Sequence, residues 1–177
     1  ERATFVEVRL DDMFAVKRVA KEIVDRLGAG WVTVAWMEMN GSLFSALCDA
    51  AEIFGPRRRV VEDVKQIEYS YRDIIKMTLM LGRLVARETS EGERVGVLLP
   101  NLAPTLGLLI GLTAQRRIPA MLNFTAGSDA MQAACTAAQI RLVVTSRAFV
   151  EQAKLTERLA ELQGISMLYL EDLRARA

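Results

Sequence analysis

Few side chains of this 177-residue chain are of the types that catalyse reactions. Histidine is absent, which excludes Ser-His-Asp and Cys-His catalysis, histidine metal ligands and histidine-based acyl transfer within these residues. Cys48 and Cys135 lie far apart, without C-x-x-C spacing, and we interpret each as a small buried side chain of a reduced protein. No carboxylates are paired at a meaningful spacing. The residue types therefore predict no catalytic, cofactor-binding or metal site.

Three short segments could bind a charged ligand. Residues 124–127 (Phe-Thr-Ala-Gly) lack the glycines and the lysine of a phosphate loop, so we interpret them as a loop leading into a helix capped by Ser128. Arg57-Arg58-Arg59 follows Gly55-Pro56 and is expected to project from a loop. Arg116-Arg117 stands at a predicted helix C-terminus, where the helix dipole favours cations. We interpret both runs as solvated surface charge, with docking of an acidic partner or of anionic lipid headgroups as the alternative.

The composition is that of a globular protein. Hydrophobic residues make up 51% of the chain, and 23 basic residues nearly balance 22 acidic ones, for a net charge of +1. This apolar content supplies a core and excludes intrinsic disorder, while the charge balance gives no case for nucleic acid as a partner. No basic segment followed by a short apolar stretch opens the chain, so no signal peptide is expected. We therefore expect a cytoplasmic protein.

The first 38 residues are predicted to form a β-α-β piece, or the tail of a preceding domain. Alternation over 6–10 predicts a strand, Asp11 and Asp12 open a helix that ends at Gly28, and residues 31–36 predict a second strand. The chain then turns at 40–42.

Residues 39–177 are predicted to form the main domain, which begins with a helix and a hairpin. Ser42 is expected to cap a helix running from 43 to about 54. Val60–Val61 and Ile67–Tyr69 predict a short hairpin. Ser70 and Asp73 then form a capping box for a helix that ends near residue 87.

Strands and helices alternate from residue 95 onwards. Apolar strands are predicted at 95–99, 120–122, 142–145 and 166–170, with helices starting at Asn101, Ser128 and Ala148, the last running to Leu162. Continuous apolar strands alternating with helices predict an α/β fold whose sheet is mainly parallel and carries helices on both faces. The uncharged run from Val95 to Ala114 is long enough to span a membrane, but its prolines favour a strand followed by a buried helix.

Several segments resemble the adenylate-forming (AMP-binding) synthetases. Gly92–Asn101 resembles a segment near the N-terminus of that superfamily. Arg116–Gly127, Thr136–Ile140, Thr145–Arg147 and Tyr169–Leu173 resemble one branch of it, the bacterial bifunctional acyl-ACP synthetase / 2-acylglycerophosphoethanolamine acyltransferases. The resemblance covers residues 39 to 177 and implies the N-terminal part of the adenylation domain.

The resemblance implies a ligase that uses ATP and Mg²⁺ to convert a fatty acid into an acyl-adenylate. The acyl group then passes to the thiol of acyl carrier protein, and in the bifunctional enzymes a separate domain transfers it to a lysophospholipid at the bacterial inner membrane. The superfamily's Pro-Lys-Gly phosphate loop, aromatic-Thr-Glu motif, ribose-binding Asp and catalytic Lys have no counterpart among these residues. We therefore expect a fragment that is inactive alone and binds neither ATP nor Mg²⁺. The alternatives are a non-catalytic interaction module and a membrane-anchoring segment.

Overall fold

The computed structural model describes residues 16–28 and 36–175, with side chains for 18–28 and 43–172. Contacts divide the chain into two units, residues 1–39 and 40–177. The helices are α1 Val16–Leu27, α2 Trp36–Phe54, α3 Tyr71–Ala86, α4 Ala103–Ala114, α5 Ser128–Ala137, α6 Arg147–Gln152, α7 Thr156–Ala160 and α8 Leu170–Ala175. The strands are β1 Arg59–Glu62, β2 Glu68–Ser70, β3 Arg94–Val97, β4 Ile118–Met121, β5 Leu142–Thr145 and β6 Ser166–Tyr169. The assignment of residues 1–38 and 39–177 as domains stays a prediction.

The end of the helix predicted to stop at Gly28 is confirmed by α1, whereas its predicted opening at Asp11 and Asp12 lies outside the described residues. Gly28 follows it with a φ of +79°, in the left-handed region, and its amide donates to the Val24 carbonyl at 3.0 Å. This is a common way for a helix to end, because glycine has no Cβ to clash. The strands predicted at 6–10 and 31–35 lie outside the described residues, whereas Trp36 belongs to α2 and not to a strand.

The predicted start of the next helix was wrong. Ser42 lies inside α2, six residues after its beginning, and therefore does not cap it. Asn, Gly and Ser are turn residues, but even glycine in a helix interior costs only about 1 kcal/mol relative to alanine. A helix can absorb that cost when the residues on both sides continue it. The predicted stop is confirmed, since Gly55 has a φ of +91°.

The hairpin and the capping box are confirmed. Strands β1 and β2 pair antiparallel, with Glu62 opposite Glu68. Ser70 caps α3: its Oγ accepts from the Asp73 amide at 3.3 Å, and the Asp73 carboxylate accepts from the Ser70 amide at 2.9 Å. The helix closes at Arg87, as the sequence predicts.

The predicted parallel sheet is confirmed. Its order is β4-β3-β5-β6, and every neighbouring pair is parallel. Strand β3 is central: Val95 lies beside Pro119 of β4 and beside Leu142 of β5. Residues 95–99 are all buried, which explains the continuous apolar run.

Helices cover both faces of the sheet. One apolar cluster joins α3 and α4 to the sheet through residues such as Val85, Val97 and Leu108. The other joins α5, α6 and α7 to the opposite face through residues such as Met131 and Phe149. Two core layers therefore enclose the four strands.

Helices α3 and α4 are in backbone contact. A Cβ placed on Gly111 would lie 2.5 Å from the Thr78 carbonyl oxygen and 2.9 Å from the Gly82 Cα. A Cβ placed on Gly82 would likewise lie 2.6 Å from the Gly111 carbonyl oxygen. Only glycine permits this approach, so the pair fixes the distance between the two helices.

Three further helix boundaries differ from the predictions. Helix α4 begins at Ala103, with Leu102 as its N-cap, and not at Asn101. Gly127, not Ser128, is the N-cap of α5, and no side chain caps that helix. The helix predicted from 148 to 162 is divided into α6 and α7, because Lys154 adopts a φ of +53° between them. This break lets Val150 and Leu159 both reach the core from two short helices.

The uncharged run from Val95 to Ala114 forms β3, a connecting loop and the 12-residue helix α4. Across residues 16–28 and 36–175, no helix has both the length and the apolar character needed to cross a bilayer.

Candidate functional site

The topology singles out one edge of the sheet. After β3 the chain enters α4 on one face, whereas the helices that follow β4 and β5 lie on the other face. In open α/β sheets, ligands bind outside the carboxyl ends of the strands, at the point where the connections diverge in this way. That point here lies between the ends of β3 and β5.

Buried hydrogen bonds join the two strand ends. The Leu98 amide donates to the Val144 carbonyl at 2.9 Å, and the Thr145 hydroxyl donates to the Leu98 carbonyl at 2.8 Å. Thr145 is fully buried. The Thr105 hydroxyl donates to the Pro100 carbonyl at 2.6 Å and so holds the loop that follows β3. This edge is therefore rigidly organised.

Two segments of the sequence resemblance meet at the same edge, at the ends of β5 and β6. The Arg147 guanidinium donates to both carboxylate oxygens of Asp172, at 2.8 and 2.9 Å, and lies over the Tyr169 ring, 4.3 Å from its centroid. The Arg147 amide donates to Glu171 Oε1 at 3.0 Å, while Glu171 Oε2 is buried without a hydrogen-bond partner among the described residues. The hydrogen bonds and charge of Asp172 raise the pKa of Arg147. Arg147 therefore connects the segment after β5 to the segment after β6 and holds the two strand ends in position.

The loop at 123–127 has the plain structure that the sequence predicts. Asn123 Oδ1 accepts from the Thr125 amide at 3.0 Å and from the Thr125 hydroxyl at 2.8 Å, which makes a local turn. The Phe124 ring meets the Phe149 ring edge to face, with centroids 5.3 Å apart. The loop therefore packs back onto the core.

The basic run at 57–59 is only partly free. Arg57 and Arg58 are exposed, and the Arg58 guanidinium lies 5.3 Å from the centroid of the Phe54 ring. Arg59 lies in β1 and not in a loop. It donates to the Glu68 carbonyl at 3.1 Å and lies 3.7 Å from the Asp73 carboxylate.

Arg117 is not the solvated surface charge that the sequence predicts. Its Nη2 donates to the carbonyls of Ala86 and Thr89, the first at 2.9 Å, its Nη1 to the Gln115 carbonyl, and its Nε to the Thr89 hydroxyl at 3.1 Å. These acceptors lie at the end of α3, in the loop after it and at the end of α4. Arg116 conforms to the prediction: it is exposed, and its ion pair with Glu91 is long at 3.4 Å. The sequence does not show which of the two adjacent arginines is exposed and which is bonded, because that depends on contacts with residues elsewhere in the chain.

A polar cavity of about 470 Å³ opens at the opposite edge of the sheet, by the amino ends of β3 and β5. Its side chains bond mainly to one another: Arg94 donates to Gln139 at 2.8 Å, and Gln132 accepts from the Gln163 amide at 2.8 Å. Cys135 lines it but is almost fully buried, and burial raises the pKa of its thiol. This fits the predicted role of a small core side chain. Cys48, in α2, is half-buried.

Among the described residues, neither a metal ion nor a nucleotide has an evident binding site. In the part of the chain that the structure describes, no three His, Cys, Asp or Glu side chains form a group that could hold a metal ion. The loop at 123–127 has no lysine, and its one glycine, Gly127, serves as a helix cap. These residues do not fit the phosphates of ATP or a bound Mg²⁺, and we assign none of them to either.

No protein-family model matches this sequence. Solved structures that share its fold include VinN in complex with 3-methylaspartate, which is 21% identical, superposes with a TM-score of 0.64, and matches over 75% of this chain and 35% of its own. A Mycobacterium tuberculosis fatty acyl CoA synthetase is 14% identical, with a TM-score of 0.64 over 76% of this chain and 27% of its own. NpsA-ThdA from Klebsiella oxytoca, an artificially fused adenylation–PCP di-domain, is 12% identical, with a TM-score of 0.58 over 76% and 23%.

The chain shares the fold of one part of each of these structures, a mixed α/β fold with a four-stranded parallel sheet flanked by helices. At such identities the shared property is the fold. The chain spans between about a quarter and a third of the length of the structures named above.

Proposed function

We propose that this chain forms the N-terminal part of the adenylation domain of a fatty acid ligase. The ligase would activate a long-chain fatty acid with ATP as an acyl-adenylate and transfer the acyl group to the thiol of acyl carrier protein. In the same proposal, a separate acyltransferase domain of the whole protein passes the acyl group to a lysophospholipid. The observation that carries the proposal is the agreement between the segments that resemble acyl-ACP synthetases and the fold shared with a fatty acyl-CoA synthetase.

The resembling segments are structural parts of the shared fold. Gly92–Asn101 contains the central strand β3, and Arg116–Gly127 contains β4. Thr145–Arg147 and Tyr169–Leu173 make the contacts at the ends of β5 and β6. The resemblance thus falls on two complete strands, on the end of α5 and on the contacts after β5 and β6, which supports common ancestry more than chance similarity of apolar strands.

The proposed chemistry draws no step from the residues described here. ATP and Mg²⁺ would be bound by parts of the whole enzyme that carry the phosphate loop and the catalytic lysine, neither of which is among these 177 residues. The contribution of this chain is to hold the carboxyl edge of the sheet in place through Thr145 and Arg147. We accordingly expect the 177-residue chain alone to catalyse no pyrophosphate exchange.

The test uses the protein encoded by the complete reading frame that contains this sequence. ATP–pyrophosphate exchange should depend on a long-chain fatty acid such as palmitate and should not be supported by L-aspartate. Transfer of the acyl group should then be compared between acyl carrier protein in its phosphopantetheine form and coenzyme A. Exchange without transfer to the carrier would leave a fatty acid ligase but refute the carrier as its partner.

Two other results would reject the proposal itself. Exchange with an amino acid and none with fatty acids would move the protein to a different adenylate-forming class. Exchange catalysed by the 177-residue chain above a blank without protein would show that its own residues bind ATP. The lysophospholipid step is tested separately, by following labelled acyl groups from the carrier to 2-acylglycerophosphoethanolamine.

A further inference from the structure

A shallow groove of about 280 Å³ lies between the hairpin and the start of α4. We call it the hairpin–α4 groove. Its larger apolar lining residues are Val61, Leu102, Leu106, Leu109 and Met121. Two of them are unusually exposed for large apolar side chains, with Leu106 at 36% and Met121 at 52%. Exposed apolar surface grouped in this way commonly marks an interaction site.

Carboxylates form one wall of the groove. Glu62 and Asp63 line it, and the segment from 62 to 68 carries three carboxylates and one lysine, a net formal charge of −2. Asp63 is held in place because its carboxylate accepts from the Lys65 amide at 2.9 Å, the Ile67 amide at 3.2 Å and the Tyr69 hydroxyl at 3.2 Å. The wall is therefore both negative and fixed in geometry.

The negative charge of this wall is not neutralised within the hairpin. Glu62 lies directly opposite Glu68 in the strand register, and neither carboxylate forms an ion pair in the part of the chain that the structure describes. The hairpin contains two cations, Lys65 and Arg59, and Arg59 already forms an ion pair with Asp73. Like charges that face each other across two strands destabilise the pair. A cationic group from outside would relieve that repulsion.

The amino end of α4 does not make the groove suitable for an anion. Pro104 has no amide hydrogen, and the amides of Thr105 and Leu106 both donate to the Leu102 carbonyl, at 3.0 and 3.2 Å. The donors that usually attract an anion to a helix start are thus largely absent or occupied. Charge complementarity favours a cation next to an apolar anchor.

We propose that the hairpin–α4 groove docks a basic amphipathic helix of a partner protein. One or two large apolar side chains of that helix would enter the groove beside Leu106 and Met121, while its Lys or Arg side chains lie against Glu62 and Glu68. This is the helix-in-groove mode of recognition. The groove is small and open to solvent, so it fits a few side-chain anchors better than a ligand that must be largely enclosed. The inference does not depend on the proposed ligase activity.

The test uses the 177-residue chain with ¹³C-labelled methionine methyl groups, the Met121 signal being assigned with Met121→Leu. The probe is a 14-residue helical peptide of Leu and Lys in amphipathic order, compared with a Leu/Glu peptide of the same pattern and with a Gly/Lys peptide. The Leu/Lys peptide should shift the Met121 signal in a saturable manner. The double variant Glu62→Gln/Glu68→Gln should weaken binding about two- to tenfold at low salt, because exposed charge pairs contribute modestly.

The matched control is Glu157→Gln/Glu161→Gln, which removes two exposed carboxylates near α7 and should leave the affinity unchanged. Leu106→Ser should weaken the Leu/Lys peptide at both low and high salt. Three results would overturn the proposal: equal affinity for the Leu/Glu peptide, equal affinity for the Gly/Lys peptide, or binding that leaves the Met121 signal unmoved.

Discussion

Replacing Arg117 by methionine should destabilise the main unit far more than the same change at Arg116. Methionine keeps much of the aliphatic length of arginine but offers no donor. Arg117 donates four hydrogen bonds, three of them to the backbone carbonyls of Ala86, Thr89 and Gln115. The variant would leave these acceptors without their charged partner at the junction of the end of α3, the loop after it and the end of α4.

The magnitude follows from the number and setting of these bonds. A hydrogen bond from a charged donor contributes about 1.5–3 kcal/mol, and bonds from a single group do not add fully. Arg117 is half-buried, so water can replace part of what is lost. We expect Arg117→Met to lower the free energy of unfolding by about 2–4 kcal/mol, and Arg117→Lys by about half as much, because one ammonium cannot reach all the acceptors.

Urea unfolding followed by circular dichroism measures the effect. With a slope of about 2 kcal/mol/M, Arg117→Met should move the midpoint by about 1–2 M. Arg116→Met should change the free energy of unfolding by less than about 0.5 kcal/mol, since Arg116 and Glu91 are both about two-thirds exposed. Equal midpoints for the two methionine variants would refute the assignment of Arg117 as a structural tie.

Three further predictions concern stability. Val97→Asp should lower the free energy of unfolding by about 3–5 kcal/mol, because Val97 is fully buried. Met121→Asp, at the half-exposed end of β4, should have little effect on it. Equal melting temperatures for the two variants would show that β3 is not central. Gly111→Ala should cost at least about 1–3 kcal/mol in a melt because its Cβ would meet the Thr78 backbone. Gly127→Ala has open space for its Cβ but changes the N-cap of α5, so it should cost less, about 0.5–1 kcal/mol. The hydrogen bonds of Ser70, followed by the charge of Arg59, lower the pKa of Asp73, so its contribution is present above the unfolded value of ~3.9 and is lost as the pH falls below it. Asp73→Asn should therefore flatten the stability profile below about pH 4, and an unchanged acid limb would remove Asp73 from that account.

Much of the fold was predictable because its signals are local or strongly periodic. The capping box of Ser70 and Asp73 is complete within four residues. Strand β3 was predictable because its continuous apolar run is typical of a strand that is covered on both faces. The parallel sheet then follows from the alternation of strands and helices.

The misplaced boundaries depend on competition that the sequence does not reveal. Ser42 and Ser128 are good capping residues, yet α2 continues through the first, and Gly127 caps in place of the second. The break at Lys154 requires a left-handed residue that is not glycine, which no sequence rule predicts.

The functional features that could not be predicted from the sequence all depend on contacts between residues that are distant in the chain. The role of Arg117 depends on acceptors as far away as Ala86, and Arg147 pairs with Asp172, 25 residues later. The hairpin–α4 groove is formed by residues from 61 to 121. Side chains that meet across such distances carry no mark in a single sequence, although their residue types do restrict what they can do once they meet.

The central position of β3 has a consequence for synthesis of the protein. Its neighbours β4 and β5 come later in the chain, Met121 being 24 residues and Val144 47 residues after Val97. At about 5–20 residues per second, a ribosome would produce β3 roughly 2–10 s before its second neighbour. During that interval the apolar segment 95–99 lacks at least one of its strand partners. A nascent chain stalled between β4 and β5 should therefore be a preferred substrate for chaperones that bind apolar segments.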